Sequence, residues 1–355
     1  MQNITEIQID PFSNLHYAAF YVLGLTSCFK SRVDITHEPF KLLKEGRRTC
    51  FLFIVKTTER EYKIAVDFHD PNTVDNKILE WSDVYAKINY HSIDTIEDLK
   101  NKYPSEEAFQ INKAKLLSIP PSFGINIFNP VQASSFITKI LSNSSLSFSD
   151  KKTICSGITR MLIKRRPLSD YSHKNAVINY IFHISSIWAK DTDFINISRS
   201  NFIKAAKSIT ALNFEGGLVN VGYDYEYMGD ISDVLYKGGK IRLKDYIKKT
   251  GLSYIVFNGP SVQRCHGWKL AEYLSMGKAI ISTSLYNDLP VALEQGVNVH
   301  FVEDNYDSIK EGLEYLIENP AYVEKLEKGA LEYWNTYMTP DIVINRIIGF
   351  ALRNN

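Results

Sequence analysis

Short apolar runs alternate with segments of helical period along nearly the whole chain, and this alternation constrains the fold more than any other feature. Residues 5–10 (TEIQID), 50–55 (CFLFIV), 62–68 (YKIAVDF) and 84–90 (VYAKINY) read as strands, and 113–124 (KAKLLSIPPSFG) as a strand broken by its Pro-Pro turn. The segment 11–16 reads as a loop and 17–25 (YAAFYVLGL) as a helix with Gly24 near its end. In the second half, strands at 176–188, 210–216, 253–259 and 278–283 are interleaved with helices at 198–209, 243–251 and 268–277. Each of these helices is expected to end at or near a glycine, as capping predicts. Two further helices parted by Asn319-Pro320 and a last one at 340–352 complete the pattern. Strands that feed helices in this way build parallel α/β sheets rather than segregated layers.

The size of the chain sets the scale of that architecture. With 355 residues and 45% hydrophobic content it can form two domains of ordinary size with a cleft between them. Between residues 142 and 175 the texture turns Ser-rich and then polar, with Pro167, and sustains no apolar period of two. The boundary is therefore expected near residue 170, giving domains at 1–169 and 170–338 and a terminal helix at 339–355. No internal repeat is evident.

A net charge of +1 excludes a global field that would draw the chain to nucleic acid or to an anionic surface, so any anion site must be local. Cys28, Cys50, Cys155 and Cys265 form no close pair, which speaks against a zinc site and a disulfide framework and for a reducing cytoplasm. No basic-then-apolar leader and no long apolar run occurs, so the chain reads as soluble and not exported.

The chemistry concentrates in residues 259–281, GPSVQRCHGWKLAEYLSMGKAII. A strand ends, a loop carries Ser261, Arg264 and His266, and a helix starts near Gly267. In an open parallel sheet, ligands sit at the carboxyl ends of strands, where helix N-termini present free N–H groups. Arg264 and Lys269 with that helix start suit a diphosphate, and Glu272, three residues beyond Lys269, suits the hydroxyls of a ribose. The alternative for the same charges is a solvated ion pair at a helix start.

From DVLYKGGKIRLKDYIKKTGLSYIVFNGPS through GWKLAEYLSMGKAIISTSLYNDLPVALEQGVNVHFVED to IKEGLEYLIENPAYVEKL, the chain resembles the donor-binding domain of GT-B glycosyltransferases, of the family 1/4-like and exostosin-like kinds. The resemblance covers roughly residues 175–338. Its most specific residues are Pro260, Ser261, Gly267, Glu272, Gly277 and the strand KAIIS. It implies an α/β GT-B fold, two Rossmann-like domains whose parallel sheets face a central cleft, with the last helix packing back on the first domain. It implies a nucleoside diphosphate sugar as donor, a glycan or lipid-linked acceptor, and no cofactor. Retaining members carry two glutamates separated by seven residues. Glu272 matches the second, which contacts the ribose, and Arg264 replaces the first. That replacement leaves stereochemistry open and favours inversion, with Arg264, His266 and Lys269 stabilising the leaving diphosphate without metal, helped by Arg199 or Lys190. The rival readings are a GT-B-fold epimerase or hydrolase of the sugar nucleotide, and a non-catalytic sugar-nucleotide or glycan binder.

Inverting transfer needs a general base from the first domain, and the candidates are Asp70, Asp10 and His16, with Asp67 and His69 nearby. Asp10-Pro11 and Asp70-Pro71 read equally as turn starts. Glu215 with Gly216 and Gly217 suggests a loop or a tight turn. Asp191 and Asp193 form a D-x-D arrangement better explained by a helix start than by a metal. His183 and Trp188 read as core residues. The run Lys164 to Arg166 reads as a solvated linker able to touch anionic lipid headgroups, with peripheral contact to the cytoplasmic membrane face and a part in bacterial surface polysaccharide synthesis as corollaries.

Overall fold

A computed structural model describes residues 4–29, 32–43, 49–144, 146–188, 193–220, 222 and 231–353. The chain divides into two compact units. Unit 1 comprises Met1–Leu168, Asn287–Pro290 and Tyr337–Asn355, and unit 2 comprises Ser169–Tyr286 and Val291–Thr336.

Unit 1 opens with β1 (Ile4–Ile9), α1 (Leu15–Phe29), β2 (Val33–Ile35), β3 (Cys50–Thr57) and β4 (Glu61–Asp67). It continues with α2 (Asn76–Trp81), β5 (Val84–Lys87), α3 (Asp94–Lys102), α4 (Glu106–Ala114), β6 (Leu116–Ser118), α5 (Pro130–Ser142) and α6 (Phe148–Lys164). The strands form one sheet in the order β2-β1-β3-β4-β5-β6. This sheet is mixed: β3 runs antiparallel to both β1 and β4, while the β1–β2, β4–β5 and β5–β6 pairs are parallel. The departure from an all-parallel sheet has a local cause. Only three residues, 58–60, link β3 to β4, too few for a crossover, and Thr57 N–H closes the hairpin on Arg60 O at 3.0 Å. Cys50, Leu52 and Ile54 of β3 join a core with residues of α2, α3 and α4. Phe51, one step along, points the other way and stacks on Tyr21 of α1.

Two helices depart from the sequence expectation. The Ser-rich, polar stretch in which no element was expected contains a helix, because 148–164 forms α6 with Ile154, Ile158 and Met161 as its buried stripe. Its Ser- and Lys-rich exposed face masks that helical period. Lys164 closes α6, and Arg165 is half-buried. Gly24 does not end α1, which runs on to Phe29.

Unit 2 contains β7 (Tyr180–Ser186), α7 (Asp193–Ser208), β8 (Asn213–Val219), α8 (Leu243–Leu252), β9 (Ile255–Asn258), α9 (Trp268–Ser275), β10 (Ala279–Ser282), β11 (His300–Phe301), α10 (Tyr306–Glu318) and α11 (Pro320–Tyr333). Every pairing between its strands is parallel: β7 with β8, and β10 with both β9 and β11. Tyr254 N–H, at the start of β9, donates to Tyr180 O of β7 at 2.7 Å. The chain thus passes from β7 to β8 on one side and returns to β9 on the other, which makes the gap above β7 and β9 a topological switch point. The core beneath it is built from Ile181, Phe202, Ile203, Phe257, Ile281 and Leu313, among others. Gly216 and Gly217 lie inside β8 rather than in a turn. A Cβ on Gly216 would stand 1.8 Å from His183 O, and φ is +138° there, so β7 and β8 meet closely only without a side chain.

The last helix, α12 (Pro340–Arg353), belongs to unit 1, where it packs on α1. They meet closely at Gly24, where a Cβ would lie 2.2 Å from Pro340 O. Among the described residues no helix is long and apolar enough to cross a membrane.

Candidate functional site

Two cavities open at the carboxyl ends of unit 2's strands. The larger, ≈ 900 Å³, is lined by the ends of β7 (Ile184–Ser186) and β8 (Leu218, Val219), by Trp188 and Tyr236, by Gly238 to Ile241, and by Tyr246 of α8. Three cations line it, Arg199 from α7, Lys240 from the segment before α8 and Lys269 from the first turn of α9. The smaller, ≈ 410 Å³, lies above β9, β10 and β11 and is lined by Ser261, Arg264, His266, Gly267, Tyr286 and Asp304 with their neighbours.

The expected single cluster is therefore divided. Ser261, Arg264, His266 and Gly267 border the smaller cavity, whereas Arg199 and Lys269 border the larger. Helix geometry explains the split: successive residues are rotated by about 100° around a helix axis, so Leu270 faces one cavity and Lys269 the other. Arg264 precedes the helix, and its guanidinium lies 4.7 Å from the Tyr286 ring centroid. Both Gln263 (φ +51°) and Arg264 (φ +57°) are left-handed, a costly pair of conformations for side-chain-bearing residues and one that recurs in ligand loops.

Lys269 is a strongly perturbed cation. Its Nζ donates to Ile184 O and to Ser185 Oγ, each at 2.6 Å. Burial pushes its pKa down to about 7, the Arg199 charge adds to that, and Glu272 opposes it. Arg199 donates to Ser186 O at 2.9 Å and is itself lowered by burial to about 10. Two cations held together, with main-chain oxygens as partners, present positive charge to whatever enters the cavity. Glu272 is buried, and its carboxylate accepts from Tyr246 Oη at 2.8 Å, so it stands behind a residue of the cavity wall. Lys269 and Glu272 turn to different elements, β7 and α8.

Other residues take structural places. His183 is buried among Phe202 and Phe257, with burial holding it well below the ordinary range, and its Nε2 meets Ser185 Oγ at 3.0 Å. Glu215 is in β8, where it accepts from Tyr180 Oη at 2.6 Å and pairs with Lys249. Asp193 opens α7, and Lys190 and Asp191 lie outside the described residues. Among the described residues no group of three or more His, Cys, Asp or Glu could hold a metal ion. Trp188, read from sequence as core, lines the larger cavity.

In unit 1 the base candidates gather along one sheet edge. Asp10 is buried after β1. Its Oδ1 accepts from Phe12 N–H at 3.2 Å, a turn-capping bond, and lies 3.9 Å from His37 Nδ1. Asp67 is tied to Lys87 at 2.8 Å and Tyr85 at 2.7 Å in a buried network. Asp70 and His69 are exposed just beyond it. His16 sits at the start of α1 against Arg165, and burial, with Arg165, Arg160 and Lys164, lowers its pKa to about 4. A ≈ 460 Å³ cavity lined by Pro11 to Leu15, His37 and part of α6 opens at the same turn as Asp10.

Sequence reasoning missed Tyr246, Tyr236 and the Gly238–Lys240 segment of the larger cavity, and Tyr286 and Asp304 of the smaller. Gly238-Gly239 and the polar residues after KAIIS and HFV were the available signals, each at the end of a strand or the start of a helix.

The described geometry defines a two-unit α/β protein whose second unit carries ligand-sized, cation-bearing cavities at the carboxyl ends of parallel strands. No protein-family description and no curated protein matches the chain. Among solved structures it is similar to a glycosyltransferase from Rickettsia africae ESF-5, with TM-score 0.42 and 11% identity over 80% of this chain and 69% of that one. It is also similar to Alr3699/HepE of Anabaena in complex with UDP, with TM-score 0.40 and 12% identity over 94% of this chain and 95% of that one. A third is the C-terminal domain of a group 1 family glycosyl transferase, LpcC, of Francisella tularensis, with TM-score 0.34 and 13% identity over 48% of this chain and 96% of that one. All are weak global likenesses.

Proposed function

We propose that the chain is a GT-B-type glycosyltransferase that moves a sugar from a nucleoside diphosphate sugar to a glycan or lipid-linked acceptor. The observation that carries this reading is the ≈ 900 Å³ cavity at the carboxyl ends of β7 and β8, with Lys269 and Arg199 at its wall. The developing negative charge of a departing diphosphate is stabilised by preorganised cations in a site that excludes water, and no metal is required for that. Trp188, Tyr236 and Tyr246 offer faces for a base, and Glu272, behind the wall, fixes the Tyr246 hydroxyl and so acts on the ribose through that side chain. Arg264, which replaces the first glutamate of retaining members, favours an inverting reaction. Asp70 serves as the general base: it is exposed beyond the end of β4, whereas Asp10 is engaged in its turn and His16 stands against Arg165. The setting is the cytoplasmic assembly of a bacterial surface glycan.

Calorimetry with UDP, GDP, CMP and dTDP, first without and then with added metal, tests the donor site. One nucleotide binds metal-free, and Glu272→Ala and Lys269→Met each weaken it by roughly tenfold or more, as expected from losing a charge-assisted contact of about 1.5–3 kcal/mol. Binding by none of them would sink the reading. Donor consumption without acceptor would turn it into hydrolysis or epimerisation.

A further inference from the structure

Residues 130–166 hold seven Lys and Arg and one Asp, a net of +6 in a chain whose net charge is +1. They form α5 and α6, consecutive helices that pack on each other around Ala133, Ile140, Ile154 and Ile158. Lys151 Nζ of α6 donates to Leu141 O at the end of α5 at 2.8 Å, which ties the near ends of this helical hairpin. Lys139, Lys152, Arg160 and Lys164 are all exposed and make no ion pair among the described residues.

The same hairpin exposes large apolar side chains. Phe148 is 85% exposed, Ile163 77%, Val131 77% and Leu141 55%. Phe148, Lys152, Ser156, Thr159 and Ile163 follow at steps of four, four, three and four, so they share one face of α6, opposite Ile154, Ile158 and Met161. Since the helices run in opposite senses, Leu141 lies at the same end as Phe148, and Val131 at the same end as Ile163.

We infer that the exposed face of α5 and α6 docks on an anionic lipid bilayer. Charge alone would fit any polyanion. A phenylalanine can stack on a base, but the three exposed aliphatic side chains beside it offer nucleic acid little, whereas a headgroup region takes cations at its surface and all four apolar side chains just below it. The face belongs to unit 1 and the residues assigned to donor binding to unit 2, and the inference holds whether or not the chain transfers a sugar.

Flotation of the full chain with vesicles of phosphatidylcholine, with and without phosphatidylglycerol, tests it in the absence of nucleotide. Binding to the anionic vesicles alone, reduced by salt, is expected. Reversing Lys152, Arg160 and Lys164 to Glu weakens it by about fivefold for each unit of charge. The double variant Phe148→Ser/Ile163→Ser also weakens it, with folding checked by circular dichroism. No preference for anionic vesicles, or undiminished binding by the double apolar variant, would overturn the inference, and in the latter case retained binding to an RNA homopolymer would identify a soluble polyanion as the partner.

Discussion

Lys269 shows how much a single side chain can carry. Its pKa of about 7 lies below the ordinary lysine value, so at neutral pH half of the free protein has a neutral amine at this position. An entering diphosphate favours the charged form, and binding therefore takes up a proton when the pH stands above about 7. Nucleotide affinity should fall as pH rises from 7 to 9, and calorimetry in buffers of different ionisation heat should report that uptake, lost in Lys269→Met. For stability the sign is opposite. The native state binds fewer protons than the unfolded chain between about 7 and 10.5, so this residue makes folding more favourable as pH rises through that window. The sequence placed Lys269 at a helix start beside a strand end, but its separation from Arg264 depends on which way the helix faces, and no residue spacing across a loop fixes that.

Elements meet where side chains are absent. Gly24→Ala would gain helix propensity, about 1 kcal/mol, yet its new Cβ would lie 2.2 Å from the Pro340 carbonyl oxygen, a backbone atom with little room to yield. Overpacking costs about 1–3 kcal/mol, so the clash wins, and a lower urea midpoint with an unchanged slope is the expected result. The strands other than β2 and β11, α1 and the helices of the second half were legible because their apolar periods stand out from polar flanks. The segment forming α6 was not, since three buried positions among Ser, Lys and Thr give a faint stripe. The antiparallel course of β3 was also hidden, because a strand's pattern carries no direction and only the three-residue link to β4 reveals it.

At the scale of the molecule, each unit has its own core, but unit 1 is closed by a helix that follows unit 2 in the chain. Removing residues 337–355 should strip the cover from α1 and destabilise unit 1 alone. Limited proteolysis should then cut residues 4–168 before 169–336, and calorimetry should show the lower of two transitions shifted down while the other stays. Local patterning cannot foresee this return, because an amphipathic helix shows that it needs a partner and not which one. It also sets an order for synthesis. As the chain leaves the ribosome, the stretch made first must wait with one flank of α1 uncovered, while the stretch made later can finish first. The first unit is born early and completed last, and during that interval its open flank is exposed to chaperones and proteases.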